Sequence, residues 1–123
     1  MPTLQTVERF VELVEAGQGM TALERFYAEN ASMQENQSLP RIGKSALLAH
    51  EAAAQASVTN MTARCTRPLL IEGETVVLRW TFDYIDSRGR PVQFEELAYQ
   101  RWAGEFISEE QFFYDSAQFK PRT

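Results

Sequence analysis

The sequence predicts an α+β domain in which three helices come first and long antiparallel strands follow. Two observations support this fold class. Apolar residues recur at helical spacing near the amino terminus, at Leu4, Val7 and Val11 among others. From residue 61 onward, long segments are instead rich in β-branched and aromatic residues and are separated by short turns. Helices grouped before such strands pack on one face of the sheet.

Each helix is predicted from the spacing of its apolar residues, or from its composition and capping residues. In the first helix, Thr3 or Thr6 caps the start and Gly17 ends it. In the second, Thr21 and Glu24 have the spacing of a capping box. The second and third helices are predicted at residues 20–27 and 43–56.

Five strands are predicted, and the sheet that they form should be strongly curved. The segment Ser38-Leu39-Pro40 ends the first strand, and glycine-containing turns separate the last four. Because long strands twist, the sheet should wrap around a helix and leave a cavity at its open end. Such a cavity is a natural small-molecule site. The predicted strands cover residues 28–35, 61–71, 75–85, 91–102 and 106–114.

Composition and charge exclude several classes of function. The chain has 17 acidic and 12 basic side chains, and the basic ones form no stripe, so neither nucleic acid nor an anionic membrane is an expected partner. The single cysteine, Cys65, can form no intramolecular disulfide and no cysteine-based metal motif. No apolar run approaches the length of about 20 residues that a membrane span needs, and no signal peptide is visible. We therefore expect a cytoplasmic protein.

Four short segments, taken in order, resemble the motifs of one superfamily. Residues 26–31 are similar to a helix-to-strand passage written F-A-D-D-A, and residues 40–43 to a P-x-x-G before the third helix. Residues 101–107 are similar to an aromatic-x-x-G-x-I hairpin, and residues 113–115 to a characteristic last strand. These are motifs of the NTF2-like superfamily, in its SnoaL-like and ketosteroid isomerase-like branch. The resemblance covers nearly the whole chain and identifies residues 1–123 as a single domain of this kind.

The resemblance implies a cone-shaped barrel, with three amino-terminal helices against a strongly curved, mainly antiparallel sheet. It also implies a homodimer packed through its sheets. The superfamily includes isomerases, cyclases, dehydratases and epoxide hydrolases as well as non-catalytic binding modules, so the fold alone does not decide the function. Because the sequence contains no metal-binding, P-loop, nucleophile-elbow or Rossmann motif, we expect neither a metal nor a cofactor.

Three residues are candidates for acid–base chemistry. Glu35 falls where the resemblance places the general base of ketosteroid isomerases, and a carboxylate in an apolar cavity has a raised pKa. Otherwise Glu35 is a solvated strand end. His50, the single histidine, either pairs with Glu35 and the ligand or is a surface residue. Tyr27 stands where related isomerases carry a pocket tyrosine, and it either donates to a ligand oxygen or is a half-buried core aromatic.

Two other positions depart from the ketosteroid isomerase pattern. The first-helix tyrosine that donates to the substrate oxyanion corresponds to Phe10, and the protonated aspartate of the same oxyanion hole corresponds to Ala98. Neither side chain has a proton to donate. Because such donors contribute about 3–4 kcal/mol each to catalysis, steroid isomerisation by that mechanism is not expected.

The pocket walls are predicted from the alternation of side chains along the long strands. The apolar phase of residues 75–85 should be concave, as should the phase of residues 91–102 that holds Ala98. In the last strand the resemblance favours the phase of Glu109 over that of Phe112, and a slip of one residue would exchange the two. The predicted lining residues are Phe10, Leu78, Trp80, Phe82, Glu96, Ala98, Gln100, Glu109 and Phe113.

Two functions fit these residues. The first is a cofactor-independent isomerase, cyclase or dehydratase that acts on a small, mostly apolar carbonyl or hydroxyl compound. In it Glu35 is the base, and His50 or Tyr27 steadies the developing charge. The second is a non-catalytic ligand-binding or dimeric interaction module, which the missing donors at Phe10 and Ala98 favour. The convex phase predicted as a dimer interface holds Glu95, Leu97, Tyr99 and Arg101.

Overall fold

The computed structural model describes residues 1–119, which form three α-helices, six strands and a short 3-10 helix at Ser116–Phe119. The α-helices are α1 (Leu4–Glu15), α2 (Gly19–Phe26) and α3 (Lys44–Ala56). The strands are β1 (Tyr27–Glu35), β2 (Arg41–Ile42), β3 (Thr59–Glu72), β4 (Thr75–Ile85), β5 (Pro91–Ala103) and β6 (Phe106–Phe113). The predicted α+β class is confirmed, and β2 is an additional short strand.

The six strands form one sheet in the order β2-β1-β6-β5-β4-β3. Every neighbouring pair is antiparallel except β1 and β6, which run parallel. Strands β3 to β6 are the predicted meander, and β6 lies beside β1 on the far side from β5. The three helices cover one face of this curved sheet, as predicted. Within residues 1–119, no helix is long and apolar enough to cross a membrane.

The core lies between the helices and the concave face of the sheet. Val7 and Val11 on α1, and Trp102 and Ile107 on the sheet, have no exposed surface. Full burial of a large apolar side chain contributes about 1.5–3 kcal/mol to folding, so this layer holds the helices over the sheet. Cys65 is also buried, and burial raises its pKa to about 11.

The helix starts follow the predictions in part. Thr3 caps α1, because its hydroxyl accepts a hydrogen bond from the backbone N–H of Thr6 at 3.1 Å. The capping box predicted for α2 does not form. The helix begins at Gly19, two residues before Thr21, and the residue at its N-cap, Gln18, makes no side-chain cap.

A bulge interrupts the ladder between β5 and β6. Trp102 is paired with Ile107, and Arg101 is paired with Glu109, so Ser108 has no partner on β5. The Ser108 hydroxyl donates instead to the backbone carbonyl of Arg101 at 3.0 Å. A bulge of this kind shifts the side-chain alternation by one residue beyond it.

The bulge decides which side chains of β6 face the helices. Ile107 faces the core, and regular alternation from it would have placed Glu109 and Phe113 on the same side. Beyond the bulge the inward phase is instead Glu110, which is 3% exposed, and Phe112. The phase predicted for the last strand is therefore wrong: Glu109 is exposed and Phe113 is 39% exposed on the convex face.

Candidate functional site

Two adjoining chambers lie between the helices and the concave face of the sheet. The inner chamber has a volume of about 120 Å³, and the outer chamber, which opens to the surface, has about 290 Å³. The outer chamber is close to the lower end of the volumes found for small-molecule sites, about 300–1,000 Å³. The two chambers share Met33, Glu51, Phe82, Glu96 and Phe112.

The inner chamber combines aromatic rings with carboxyl groups. Its rings are those of Phe10, Tyr27, Trp80, Phe82 and Phe112. Its carboxyl groups are those of Glu51, Glu96 and Glu110. No Lys, Arg or His of the described residues lines this chamber. Within residues 1–119, no group of three His, Cys, Asp or Glu side chains could hold a metal ion.

A row of stacked rings forms the wall along β4 and β5. The ring centroids of Trp80 and Phe82 are 5.8 Å apart, and those of Phe82 and Phe94 are also 5.8 Å apart. These residues reach the chambers because they lie in the same phase of paired strands, with Phe82 opposite Phe94. The wall is therefore apolar and continuous from the inner chamber to the outer one.

A chain of hydrogen bonds holds Glu110 at the base of the inner chamber. The Tyr27 hydroxyl donates to Oε1 of Glu110, and the Gln100 amide donates to Oε2 at 2.7 Å. The indole N–H of Trp102 donates to Oε1 of Gln100 at 2.9 Å. Because the Gln100 oxygen is occupied by this donor, its NH₂ group must face Glu110.

The surroundings of Glu110 move its titration close to neutral pH. Burial raises its pKa to about 7, although the hydrogen bonds from Gln100 and Tyr27 oppose the change. Burial and the negative charge of Glu110 together raise the pKa of the Tyr27 hydroxyl well above 10. Tyr27 therefore stays protonated and remains a donor, while Glu110 exchanges a proton near pH 7.

Two further carboxyl groups face the same space. Burial, followed by the charges of Glu110, Glu35 and Glu51, raises the pKa of Glu96 well above its ordinary value. Among the described residues, none makes a hydrogen bond to the Glu96 carboxyl. Burial, followed by the charge of Glu35, raises the pKa of Glu51. The raised pKa favours the protonated form of Glu96, and no described residue engages its carboxyl group, so this group is available to a ligand.

The rim of the outer chamber carries the basic groups. Arg41, on β2, donates to Oε2 of Glu35 at 2.7 Å, and both side chains are about one third exposed. His50, on α3, also lines the outer chamber and is exposed. No hydrogen bond joins Glu35 to His50 within the described residues. The charge of Glu35 is therefore balanced by Arg41 at the surface.

Residues 7–110 match the SnoaL-like domain family. The chain belongs to this family. Among curated proteins, none matches it at a significant level.

Several solved structures share the fold of this SnoaL-like domain. A candidate SnoaL-like polyketide cyclase from Mesorhizobium loti is 23% identical, with a TM-score of 0.79, over 93% of this chain and 100% of that one. An NTF2-like protein of unknown function from Burkholderia pseudomallei K96243 is 14% identical, with a TM-score of 0.80, over 94% and 92% of the two chains. A protein with a ketosteroid isomerase-like fold from Catenulispora acidiphila, solved with trimethylamine, is 17% identical, with a TM-score of 0.79, over 94% and 89%. At these identities the similarity confirms the predicted fold, and the family match over residues 7–110 confirms the SnoaL-like branch of the predicted superfamily.

The structure places the predicted catalytic residues in two groups. Glu35 and His50 lie at the rim of the outer chamber, where they do not form the predicted pair. Tyr27 lies in the inner chamber, but its proton is already donated to Glu110. The hydrogen bond predicted from Tyr27 to a ligand is therefore replaced by one inside the protein.

The predicted lining residues divide in the same way. Those that reach the inner chamber are Phe10, Trp80, Phe82 and Glu96. The predictions for Leu78, Ala98 and Gln100 are wrong, because these residues are fully buried and line neither chamber. The predictions for Glu109 and Phe113 are wrong, because the bulge at Ser108 places both side chains on the convex face.

Sequence reasoning missed two of the three carboxyl groups of the inner chamber. Glu51 follows Leu47 by one helical turn on α3, and Leu47 is buried, so the spacing was available as a signal. The neighbouring His50 fits almost the same helical face, so the spacing did not distinguish Glu51 from His50. Glu110 belongs to the alternative phase of the last strand, that of Phe112, and the bulge that turns this phase inward cannot be read from alternation.

Proposed function

We propose that this SnoaL-like domain is a cofactor-independent acid–base enzyme for a small, mostly apolar carbonyl or hydroxyl compound. The observation that carries the proposal is the pair Glu96 and Glu110 in one aromatic chamber. Burial raises the pKa of both groups, and that of Glu110 to about 7. Their surroundings differ, because Tyr27 and Gln100 donate hydrogen bonds to the Glu110 carboxylate, whereas no described residue donates to Glu96. Donors of this kind favour the charged form, so Glu110 suits the role of base and Glu96 that of acid.

In the proposed reaction Glu110 accepts a proton from a carbon next to the substrate carbonyl. The donors Tyr27 and Gln100 fix the orientation of its carboxylate. Glu96 gives its proton to the carbonyl oxygen, which forms an enol, or to a departing hydroxyl group, which leaves as water. Isomerisation, aldol-type cyclisation and dehydration all use this step, and proton transfer by a positioned group contributes about 10²–10⁴-fold to the rate.

The sequence hypothesis named Glu35 as the base, whereas we now propose Glu110. Glu35 is occupied by an ion pair with Arg41 at the rim, whereas Glu110 lies inside the apolar chamber. A base in an apolar site close to neutral pKa transfers a proton more effectively than a solvated one. We therefore propose that Glu35 and Arg41 shape the entrance.

Replacement of Glu96 by Gln tests the proposal. Candidate carbonyl and hydroxyl compounds would first be found by thermal shift, and conversion would then be followed by NMR. We expect the Glu96→Gln variant to turn over the best substrate about a hundredfold more slowly, because Gln cannot transfer a proton. Its substrate affinity should change by no more than about threefold, because the amide keeps a hydrogen-bond donor in the chamber.

The control is Glu109→Gln, the same change on the convex face, which should leave turnover unchanged. Full activity in Glu96→Gln would contradict the proposal. Compounds that bind wild-type protein without conversion would favour the second candidate, a non-catalytic ligand-binding or dimeric interaction module. One observation supports that alternative: neither Phe10 nor Ala98 has a donor, and the donor of Tyr27 is occupied by Glu110.

We further propose that two copies of the chain associate through the convex face of the sheet. Leu97, Tyr99 and Phe113 lie close together on β5 and β6, with exposed fractions of 45%, 50% and 39%. Exposed apolar residues in a contiguous patch are typical of an interface. Localisation in the cytoplasm stays a prediction.

Replacement of Tyr99 by Glu tests the dimer. We expect wild-type protein to have the mass of two chains by light scattering at micromolar concentration, and Tyr99→Glu to have the mass of one, because a charge at the centre of an apolar interface costs several kcal/mol. Thr66→Glu, an exposed position on β3, is the control. A wild-type protein with the mass of one chain would contradict the proposal.

A further inference from the structure

The charges of the inner chamber are not balanced. Its lining has three carboxyl groups and, within the described residues, no basic group. The guanidinium of Arg41, which lines the outer chamber, is engaged by Glu35 at the rim. Glu96 is only partly exposed and makes no hydrogen bond within the described part of the chain. A partly buried carboxyl group that no protein donor compensates is stabilised by a ligand group that carries a positive charge or a proton to donate.

The walls around these carboxyl groups are aromatic. Five rings line the inner chamber, and Phe94, Tyr84 and Tyr114 continue the lining outward. Aromatic faces carry partial negative charge and attract a cation within about 6 Å, most strongly when water is excluded. Carboxyl groups and aromatic rings therefore favour the same kind of ligand group.

Glu51 is the residue at which the carboxyl groups and the aromatic wall adjoin. It is shared by the inner and outer chambers, as is Phe82, and both also line an adjacent cleft beside α1. No described residue makes a hydrogen bond to the Glu51 side chain. A ligand that extends from the outer chamber into the inner one therefore lies beside Glu51, and it meets Glu96 in both chambers and Glu110 in the inner one.

We propose that the ligand carries a positively charged nitrogen, which binds at the junction of the two chambers between the Glu51 carboxylate and the aromatic wall. The inference rests on the proposed function, because it names the chemical class of the compound that the same cavity takes. The ligand is thus an amine or quaternary ammonium compound whose carbonyl or hydroxyl group reaches Glu96 and Glu110. Anions are disfavoured, because the charges of Glu51 and Glu110 would repel them.

A bound cation also has a consequence for the proposed chemistry. The charges of Glu110, Glu35 and Glu51 help to keep the proton on Glu96. A cation beside Glu51 offsets that repulsion and lowers the pKa of Glu96. An acid whose pKa is closer to the working pH gives up its proton more readily. A bound cationic substrate therefore makes Glu96 a stronger acid for the proposed proton transfer.

Choline and 3,3-dimethylbutan-1-ol provide a matched test. The two have the same shape, and a nitrogen cation in the first replaces a neutral carbon in the second. We expect calorimetry to show that wild-type protein binds choline at least about tenfold more tightly, as for a desolvated cation between aromatic rings and a carboxylate. In Glu51→Gln this preference should fall to about threefold or less, with the affinity for the alcohol unchanged.

Glu12→Gln, an exposed position on α1, is the control and should keep the full preference. Equal affinity of wild-type protein for choline and the alcohol would overturn the inference and leave the proposed acid–base function intact. A preference for choline that survives in Glu51→Gln would also overturn it, as would the absence of binding by either compound. The proposed function is tested separately. Full turnover in Glu96→Gln would contradict it, even if wild-type protein still bound choline more tightly than the alcohol.

Discussion

At about pH 8.5, Glu110→Gln is expected to raise the thermal unfolding midpoint of this SnoaL-like domain by about 8 °C. The reason is that the folded wild-type chain must hold a buried carboxylate at that pH, whereas Gln is neutral. A carboxyl group with a pKa of about 7 when folded and 4.5 ordinarily loses about 3 kcal/mol of folding free energy on full ionisation. The variant avoids this loss but gives up about 1 kcal/mol of hydrogen bonding with Tyr27 and Gln100. The net gain of about 2 kcal/mol corresponds to the stated shift at about 4 °C per kcal/mol.

The direction of the pH dependence follows from the raised pKa. Between pH 4.5 and about 7 the folded chain holds the Glu110 proton and the unfolded chain does not. The contribution of Glu110 to stability is therefore fully present below pH 4.5 and is lost as the pH rises to about 7. Glu96 and Glu51 act in the same direction, because their pKa values are also raised.

The measurement is the unfolding midpoint as a function of pH from about 5 to 8.5. Wild-type protein should lose stability steadily over this range, and Glu110→Gln should have a distinctly flatter profile. Glu109→Gln, the neighbouring residue on the convex face, should reproduce the wild-type profile. Parallel profiles for wild type and Glu110→Gln would show that Glu110 is ionised in the folded chain at all these pH values.

The architecture of the domain was predictable because its signals extend over many residues. The apolar spacing of α1 and the alternation of β4 each repeat several times, so local errors average out. The predicted strand at 75–85 coincides with β4 at Thr75–Ile85, and its apolar phase faces the helices. A curved sheet with a cavity beneath three helices then follows from strand length and order.

The chemistry of the site depends on single residues, and it was predictable only in part. Glu96 was identified, because no irregularity separates it from the rest of β5 up to Gln100. Glu110 was not, because the single unpaired residue Ser108 exchanges the two faces of β6. On α3 the neighbouring residues His50 and Glu51 fit nearly the same helical face, and a rotation smaller than a third of a turn decides between them.

The ion pair at the rim was unpredictable for a different reason. Glu35 and Arg41 are six residues apart, and a turn brings them together as β1 pairs with the two-residue strand β2. So short a strand has no periodic signal in the sequence. The candidate base at Glu35 was therefore judged without its partner, and the partner is what distinguishes a surface ion pair from a proton acceptor.

Gln100→Leu is expected to cost about 3 kcal/mol of folding free energy, although Leu has nearly the same volume. Gln100 has no exposed surface, accepts a hydrogen bond from Trp102 and donates one to Glu110. Leu would leave both of these buried partners unsatisfied, and each such group costs about 1–3 kcal/mol. Loss of the donor would also raise the pKa of Glu110 further, because this hydrogen bond favours the charged form.

The comparison is with Gln93→Leu, the same substitution on the same strand. Gln93 is exposed and, within residues 1–119, donates only to Asp83 at 3.1 Å, so its loss should change stability by about 0.5 kcal/mol or less. Denaturant unfolding at about pH 6 and 8.5 measures both effects, and the deficit of Gln100→Leu should be larger at the higher pH, where Glu110 must ionise without its donor. Equal stability of the two variants would mean that the network does not hold Glu110 in place, and the assignment of Glu110 as the positioned base would fail with it.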